Sequence, residues 1–180
     1  MTEENGIIKA VLNGDTESFR LLVERYEKPV TRMIGNLIND RHICEDIAQE
    51  VFLAAYRKLG SFDPARSSFS TWLFTIARNR SINAMKKRRA ASVGRPPERM
   101  NSTGPADAIE QDELYARLDA ALNALVPRHR RALVLAEFED LSYEKIAQIE
   151  GVRVGTVKSR INRAKKKLRS ALGSPDGVVL

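Results

Sequence analysis

Leu141–Leu172 reads LSYEKIAQIEGVRVGTVKSRINRAKKKLRSAL. Ser142 is a good helix N-cap, and Ile146, Ala147 and Ile149 give the short helix after it an apolar side. Gly151-Val152-Arg153 supplies a tight turn, in which Gly151 permits a positive φ. A longer helix is expected from about Gly155 to Leu172. Its Val157, Ile161, Ala164 and Leu168 fall at i, i+4, i+7 and i+11, which makes one buried stripe. Ala147 is small where the two helices would cross. A short helix, a tight turn and a longer helix spell a helix-turn-helix.

With that stripe buried, the rest of the long helix is exposed. Thr156, Lys158, Ser159, Asn162 and Arg163 lie near its start, with Arg160 and Lys165-Lys166-Lys167 further along. Arg153 to Arg169 holds eight basic residues and no acid, whereas Glu137, Glu139, Asp140, Glu144 and Glu150 crowd the segment before it. Early positions of a recognition helix reach base edges in the major groove, and later cations meet phosphates. A polarised surface on this scaffold points to duplex DNA rather than to an ordinary solvated helix.

Upstream, helical periodicity continues. Leu114, Leu118, Ala121, Leu122 and Leu125 suit one helix. Pro127 opens another, with Ala132, Leu133, Leu135 and Phe138 as its apolar residues. From Ala91 to Ala108 the chain reads ASVGRPPERMNSTGPADA, three prolines and two glycines with almost no large apolar residue, which is linker composition. The expected organisation is therefore all-α: a helical domain over 1–90, a flexible linker over 91–110, a helix-turn-helix domain over 111–173 and a tail over 174–180.

The N-terminal block reads as five helices. A short one covers Glu4 to Asn13 and stops at Gly14. Asp15 would cap the next, which carries Phe19, Leu22, Val23 and Tyr26. Pro29 suits a first turn, so a third helix is expected from near Lys28. Arg41 to Leu59 is strongly periodic through Ile43, Ile47, Val51, Ala55 and Leu59, and Gly60 ends it. A loop over Ser61 to Ser68 precedes a last helix from Phe69 to about Arg89.

Two surfaces of this block differ in character. Asp46, Gln49 and Glu50 lie at i, i+3 and i+4 on one helix face, an acidic patch on a chain whose 30 basic and 23 acidic side chains leave it at +7. Such a patch repels DNA; it is either a solvated face or a protein-docking surface. Pro64 to Pro97 instead holds eight cations (Arg66, Arg78 and Lys86 among them) and no acid. Phe62, Phe69, Trp72 and Phe74 are interleaved there, and Asn79 and Asn83 share a helix face. Cations track phosphates, aromatics stack, and amides pair with base edges, a mixture suited to unpaired bases. At least one of Trp72 and Phe74 is expected in the core.

These stretches together resemble the extracytoplasmic-function (ECF) sigma factors. The residues that carry the likeness are Asp46-Ile47-Ala48-Gln49-Glu50-Val51-Phe52 with Ala55-Tyr56, and Phe69-Ser70-Thr71-Trp72-Leu73-Phe74-Thr75-Ile76-Ala77-Arg78-Asn79. In the second block they are Leu141-Ser142-Tyr143-Glu144-Lys145-Ile146-Ala147 and Gly155-Thr156-Val157-Lys158-Ser159-Arg160. The resemblance spans about Phe19 to Leu172.

The resemblance implies a sigma factor that brings core RNA polymerase to promoter DNA. Asp46, Gln49, Glu50 and Phe52 would dock on the coiled coil of the β′ clamp, with the β flap as a further contact on core polymerase. Phe62, Phe69, Ser70, Trp72, Thr75, Arg78, Asn79, Asn83 and Lys86 would open and read the −10 element. Thr156, Lys158, Ser159, Arg160, Asn162, Arg163 and Lys166 would read the −35 duplex. Thr75 stands where some members carry an arginine, and Asn162 falls at a variable position. An anti-sigma factor is the expected regulator. No catalytic group, cofactor or metal is expected.

The rival readings are a stand-alone helix-turn-helix regulator and a nuclease or recombinase with a DNA-binding tail. The first lacks dimerisation heptads, and the second lacks clustered carboxylates or a nucleophile beside arginines. His42 and Cys44 are too few to make a metal site, and His129 lies in the other block. A single cysteine excludes an internal disulfide and fits a reducing compartment. The acidic start does not read as a secretory signal, and no apolar run is long enough to span a bilayer. The expected location is the cytoplasm.

Overall fold

The computed structural model describes residues 3–38, 40–91 and 117–173, with side chains to Lys87 in the helix that ends at Ala91. Among the described residues the regular structure is all helical, as the periodicity predicts. The chain divides into two compact units, one built on residues 1–100 and the other on residues 101–147 and 152–180. The expected linker, apart from Ala91, and the tail over 174–180 lie outside the described residues. No helix among the described residues is long and apolar enough to cross a membrane.

In the first unit, α1 (Glu3–Leu12) carries Glu3 and Glu4 in its first turn and Lys9 in its last, in the sense that complements the helix dipole. Asp15 does act as a cap, but of a 3-10 turn at Thr16–Ser18. Its carboxylate accepts from the Ser18 N–H at 3.3 Å and from the Ser18 hydroxyl at 2.6 Å. The chain then enters α2 (Phe19–Gly35).

The expected break near Lys28 does not occur: α2 runs through Pro29 without interruption. Proline removes the hydrogen bond to the Arg25 carbonyl and crowds that carbonyl with its ring. Against that loss stands one continuous apolar row: Phe19, Leu22, Val30, Met33 and Ile34 are all buried. Splitting the helix would take half of that row off the core, and each such side chain contributes about 1.5–3 kcal/mol when buried.

Asp40 starts α3 (Arg41–Lys58) by accepting from the Ile43 N–H at 3.2 Å. Cys44, Ile47, Val51, Ala55 and, just beyond the helix, Leu59 point inward. A turn at Asp63–Arg66 leads to α4 (Phe69–Ala91). Ser68 caps that helix, its hydroxyl accepting from the Thr71 N–H at 3.3 Å. Leu73, Phe74 and Ala77 of α4 complete a core shared with α2 and α3. Phe74 is thus the core residue of the Trp72/Phe74 pair.

The second unit has α5 (described over 117–123), α6 (Pro127–Glu137), α7 (Tyr143–Glu150) and α8 (Val154–Leu172). Ser142 caps α7, accepting from the Lys145 N–H at 3.3 Å. Gly151 sits at φ +64° in the turn, where a side chain is disfavoured. Val157, Ile161, Ala164 and Leu168 are all buried, as their spacing requires. Phe138 departs from expectation and is exposed. It occupies the C-cap of α6, beyond the last full turn, so the helical period no longer aims it at the core.

Pro29→Ala restores a backbone donor inside a helix that already continues through this position. It is expected to stabilise the first unit by about 1–3 kcal/mol, less up to about 1 kcal/mol for the freer unfolded chain. Urea unfolding monitored by circular dichroism checks this; a lowered midpoint would mean that the core needs the local geometry of the proline.

Candidate nucleic-acid interface

On α3, Asp46, Gln49 and Glu50 are exposed and share a face, because the row Ile47, Val51 and Ala55 is held inward. The structure adds Leu53 to that face, 55 % exposed at i+7 from Asp46. Phe52 is turned away and buried; it walls a groove between α2 and α3 of about 560 Å³, together with Phe19, Val23, Ala48, Leu53 and Tyr56. Glu50 is already engaged: Arg80 of α4 donates to its carboxylate at 2.9 Å.

On α4, Trp72, Thr75, Asn79, Asn83 and Lys86 recur at i, i+3, i+7, i+11 and i+14. They form one row whose last three members are exposed and first two half-buried. Trp72 leans on Phe62 and Phe69, with ring centroids 5.5 and 5.7 Å away. Phe69 does not join that surface. It is only 2 % exposed, enclosed by Tyr26, Phe62 and Trp72, so its expected contact with DNA is corrected to a core role. The packing of α4 on α2 decides this: Phe69 and Leu73 share one face, so the first follows the second inward.

The polar groups of this row are partly committed. The Thr75 hydroxyl donates to the Thr71 carbonyl at 2.8 Å, and the Ser70 hydroxyl shares a 3.0 Å hydrogen bond with that of Ser68. Arg78 donates to Asn79 Oδ1 at 3.0 Å. Asn79 therefore presents its NH₂, and a bidentate grip on adenine would require Arg78 to let go.

On α8 the exposed residues divide into two rows about the buried stripe. Thr156, Ser159 and Arg163 form one, with the half-buried Arg160 beside them; Lys158, Asn162 and Lys166 form the other. The lysine run is not uniform. Lys165 pairs with Glu137 at 3.0 Å and Lys167 donates to the Ala124 carbonyl at 2.7 Å, which leaves Lys166 facing outward. Arg128 and His129, from the first turn of α6, stand across a cleft of about 430 Å³ from Thr156, Ser159, Arg160 and Arg163. Sequence reasoning missed both. The run Pro127-Arg128-His129-Arg130-Arg131 is the available signal, but the apolar period of α6 says nothing of its first turn.

Partial burial lowers the pKa of His129, and the nearby charges of Arg128, Arg163, Arg160 and Lys167 lower it further. Cys44 is buried, and burial raises its thiol pKa; Sγ donates to the Ile38 carbonyl at 3.1 Å. His42 is exposed two residues away, so the pair does not converge on a common point.

Both environments are open to measurement. Folding favours neutral His129, so as pH falls through the ordinary histidine range the unfolded chain takes up the proton first. Stability held by the neutral form is then lost on acidification, and His129→Gln should show a smaller fall in melting temperature between neutral and mildly acidic pH than the parent chain. Cys44 should react with a thiol reagent only as fast as the first unit opens, with labelling rising steeply at the urea midpoint; prompt labelling in native buffer would contradict the buried thiol.

Both units match known families. The family model described as Sigma-70 region 2 matches residues 22–91, and that described as Sigma-70, region 4 matches residues 115–168. RNA polymerase sigma-H factor of Pseudomonas aeruginosa is 35% identical, with 94% of this chain and 94% of that protein covered. ECF RNA polymerase sigma factor SigW of Bacillus subtilis is 34% identical, over 92% of this chain and 94% of that one. Among solved structures, the sigma factor RpoE of Bartonella quintana, in complex with the anti-sigma factor NepR, superposes with a TM-score of 0.70. It is 28% identical, and the match covers 87% of this chain and 97% of that chain.

Proposed function

The chain belongs to the ECF RNA polymerase sigma factors, and from that membership we propose how its surfaces divide the work of promoter recognition. The family is not one of enzymes: a sigma factor binds core RNA polymerase and directs it to promoters. Residues 1–90 act as the docking and −10 domain, 91–110 as the connection, 111–173 as the −35 domain and 174–180 as a tail.

Asp46, Gln49 and Glu50, with Leu53 beside them, dock on the β′ clamp coiled coil. An acidic face repels DNA and suits a basic or amide-rich protein partner. The α4 row engages the −10 element. Trp72 and Phe62 offer ring faces for unpaired bases, worth about 1–3 kcal/mol per stacked base. Asn79 and Asn83 read base edges, and Lys86 follows the backbone. The α8 rows enter the −35 major groove, where each good bidentate pair discriminates by about 1–3 kcal/mol. The single observation that carries this division is the row from Trp72 to Lys86, aromatic, then amide, then cationic, on one face of a helix whose other face is core.

Neither reader is large. Fixing both on polymerase turns the second contact into an intramolecular one, and the gain in effective concentration supplies affinity that either alone lacks. An anti-sigma factor is the fitting regulator, since RpoE of Bartonella quintana is held by one. The protein works in the cytoplasm, where it meets core polymerase.

Run-off transcription with purified core polymerase on a promoter library tests the reading. Start sites should appear only with the protein, and the double variant Asp46→Ala/Gln49→Ala should abolish them while duplex binding by α8 persists. Tight, specific duplex binding by the protein alone, without dependent transcription, would favour a stand-alone regulator.

A further inference from the structure

Asp46 and Glu50 stand one turn apart on the exposed face of α3, yet they differ in one respect. No ion pair holds Asp46 among the described residues, whereas the Glu50 carboxylate accepts from Arg80 of α4 at 2.9 Å. That pair joins two helices and spans 30 residues of sequence. The side chains are 58% exposed at Glu50 and 44% at Arg80, so both remain open to a partner.

Arg80 also borders the row from Trp72 to Lys86. It follows Asn79 directly and precedes Asn83 by three residues. Arg80, Asn83 and Lys87 therefore make a second exposed edge of α4, a helix that carries no acid of its own. Backbone contacts flank base contacts where a nucleic acid is read, and a cation at this border is placed for one. A guanidinium fits a carboxylate and a phosphate with the same fork of donors. The Glu50 carboxylate thus occupies Arg80 as a phosphate would.

We propose that Arg80 is a further DNA-backbone contact of α4, held by Glu50 in the free protein and released when a cation of the docking partner takes that carboxylate. The exchange rests on the readings of α3 as the docking face and α4 as the −10 helix. It joins the two in one unit: DNA and polymerase compete for opposite ends of the same pair, so each favours the binding of the other. The coupling is reciprocal, and the factor by which Glu50 weakens DNA binding is the factor by which Arg80 weakens docking. An exposed pair sets that factor at up to about fivefold.

Two binding measurements on the full-length chain test the exchange. Both sites are exposed helix positions, where alanine keeps the helix. In the first, a labelled single-stranded oligonucleotide of mixed sequence is bound at low salt, where exposed pairs are least screened. The parent is compared with Glu50→Ala, Arg80→Ala, the double variant and Lys86→Ala. Glu50→Ala should tighten binding by up to about fivefold. The same change made in the Arg80→Ala background should bring no comparable gain. In the second, the affinity for core polymerase is measured for the parent, Arg80→Ala and Asp46→Ala. Arg80→Ala should tighten docking by a factor similar to the gain on DNA, because Glu50 no longer has to be released, while Asp46→Ala weakens it.

A gain on DNA from Glu50→Ala that is equal in both backgrounds would mark a general repulsion by the carboxylate and overturn the exchange. No gain, while Lys86→Ala weakens binding, would overturn it and leave α4 as the DNA helix; no change from Lys86→Ala either would overturn the −10 reading with it. Unchanged or weaker docking by Arg80→Ala, while Asp46→Ala weakens docking, would overturn the release and leave the docking face intact. An Asp46→Ala chain that docks like the parent would overturn the docking reading as well.

Discussion

The burial of Val157, Ile161, Ala164 and Leu168 sets the azimuth of α8, and with it the identity of every residue the helix can offer a partner. A helix has one rotational degree of freedom about its axis. Four apolar side chains along one stripe, of which Val157, Ile161 and Leu168 contribute about 1.5–3 kcal/mol each, remove it. The polar residues are then placed without any interaction of their own. The same constraint operates in the first unit, where Ile47, Val51 and Ala55 present Asp46, Gln49 and Leu53, and Leu73 and Ala77 present Thr75, Asn79 and Asn83. Function here is what the core leaves outside.

Charge is then distributed with some economy. Lysines and arginines close to one another in the chain do different work. Lys165 is tied to Glu137 and Lys167 to the Ala124 carbonyl, while the middle lysine stands out; Arg130 is tied to Asn123, and no such tie holds Arg128 among the described residues. The one ion pair among these three ties, Lys165–Glu137, is worth about 0–1 kcal/mol. The larger effect of all three is steric: a side chain held in one place neither screens nor competes with its neighbour. The Glu50–Arg80 pair links the proposed docking face to α4, the helix proposed to meet DNA. A partner that takes Glu50 leaves Arg80 a free cation on the DNA-proposed helix.

Most of this was legible because it rests on period and composition. The four-residue stripe of α8, the apolar row of α3, the cap at Ser142 and the turn at Gly151 are all expected and all present, whereas Asp15 caps a 3-10 turn ahead of the helix it was expected to start. The misses have a common cause, which is that propensity and pattern are local while azimuth and partners are tertiary. Pro29 reads as a first-turn residue, yet the apolar row running past it on both sides keeps α2 whole. Phe69 and Trp72 read alike as aromatics beside a basic helix; only the packing of α4 against α2 sends one inward and leaves the other at the surface. Phe52 lies next to Leu53, and one step of 100° separates a groove wall from an exposed face. Arg128 and His129 escape a linear reading because their cleft is made by two helices distant in sequence.

The burial of Phe69 also changes what Trp72 is able to do. An exposed aromatic that is free to rotate loses side-chain entropy when a base stacks on it, a cost that offsets part of the stacking energy. Trp72 packs at a tilt against Phe62 and Phe69, and Phe69 is in turn packed against Tyr26 of α2. Tyr26 is anchored through its hydroxyl to Glu4 of α1. The ring offered to a partner is therefore backed by a chain of aromatic contacts that reaches through the core to the first helix. Such a ring is ordered before the base arrives, so binding need not order it. On the proposed −10 reading, Phe69 is the support that holds Trp72 in place rather than a surface that touches DNA.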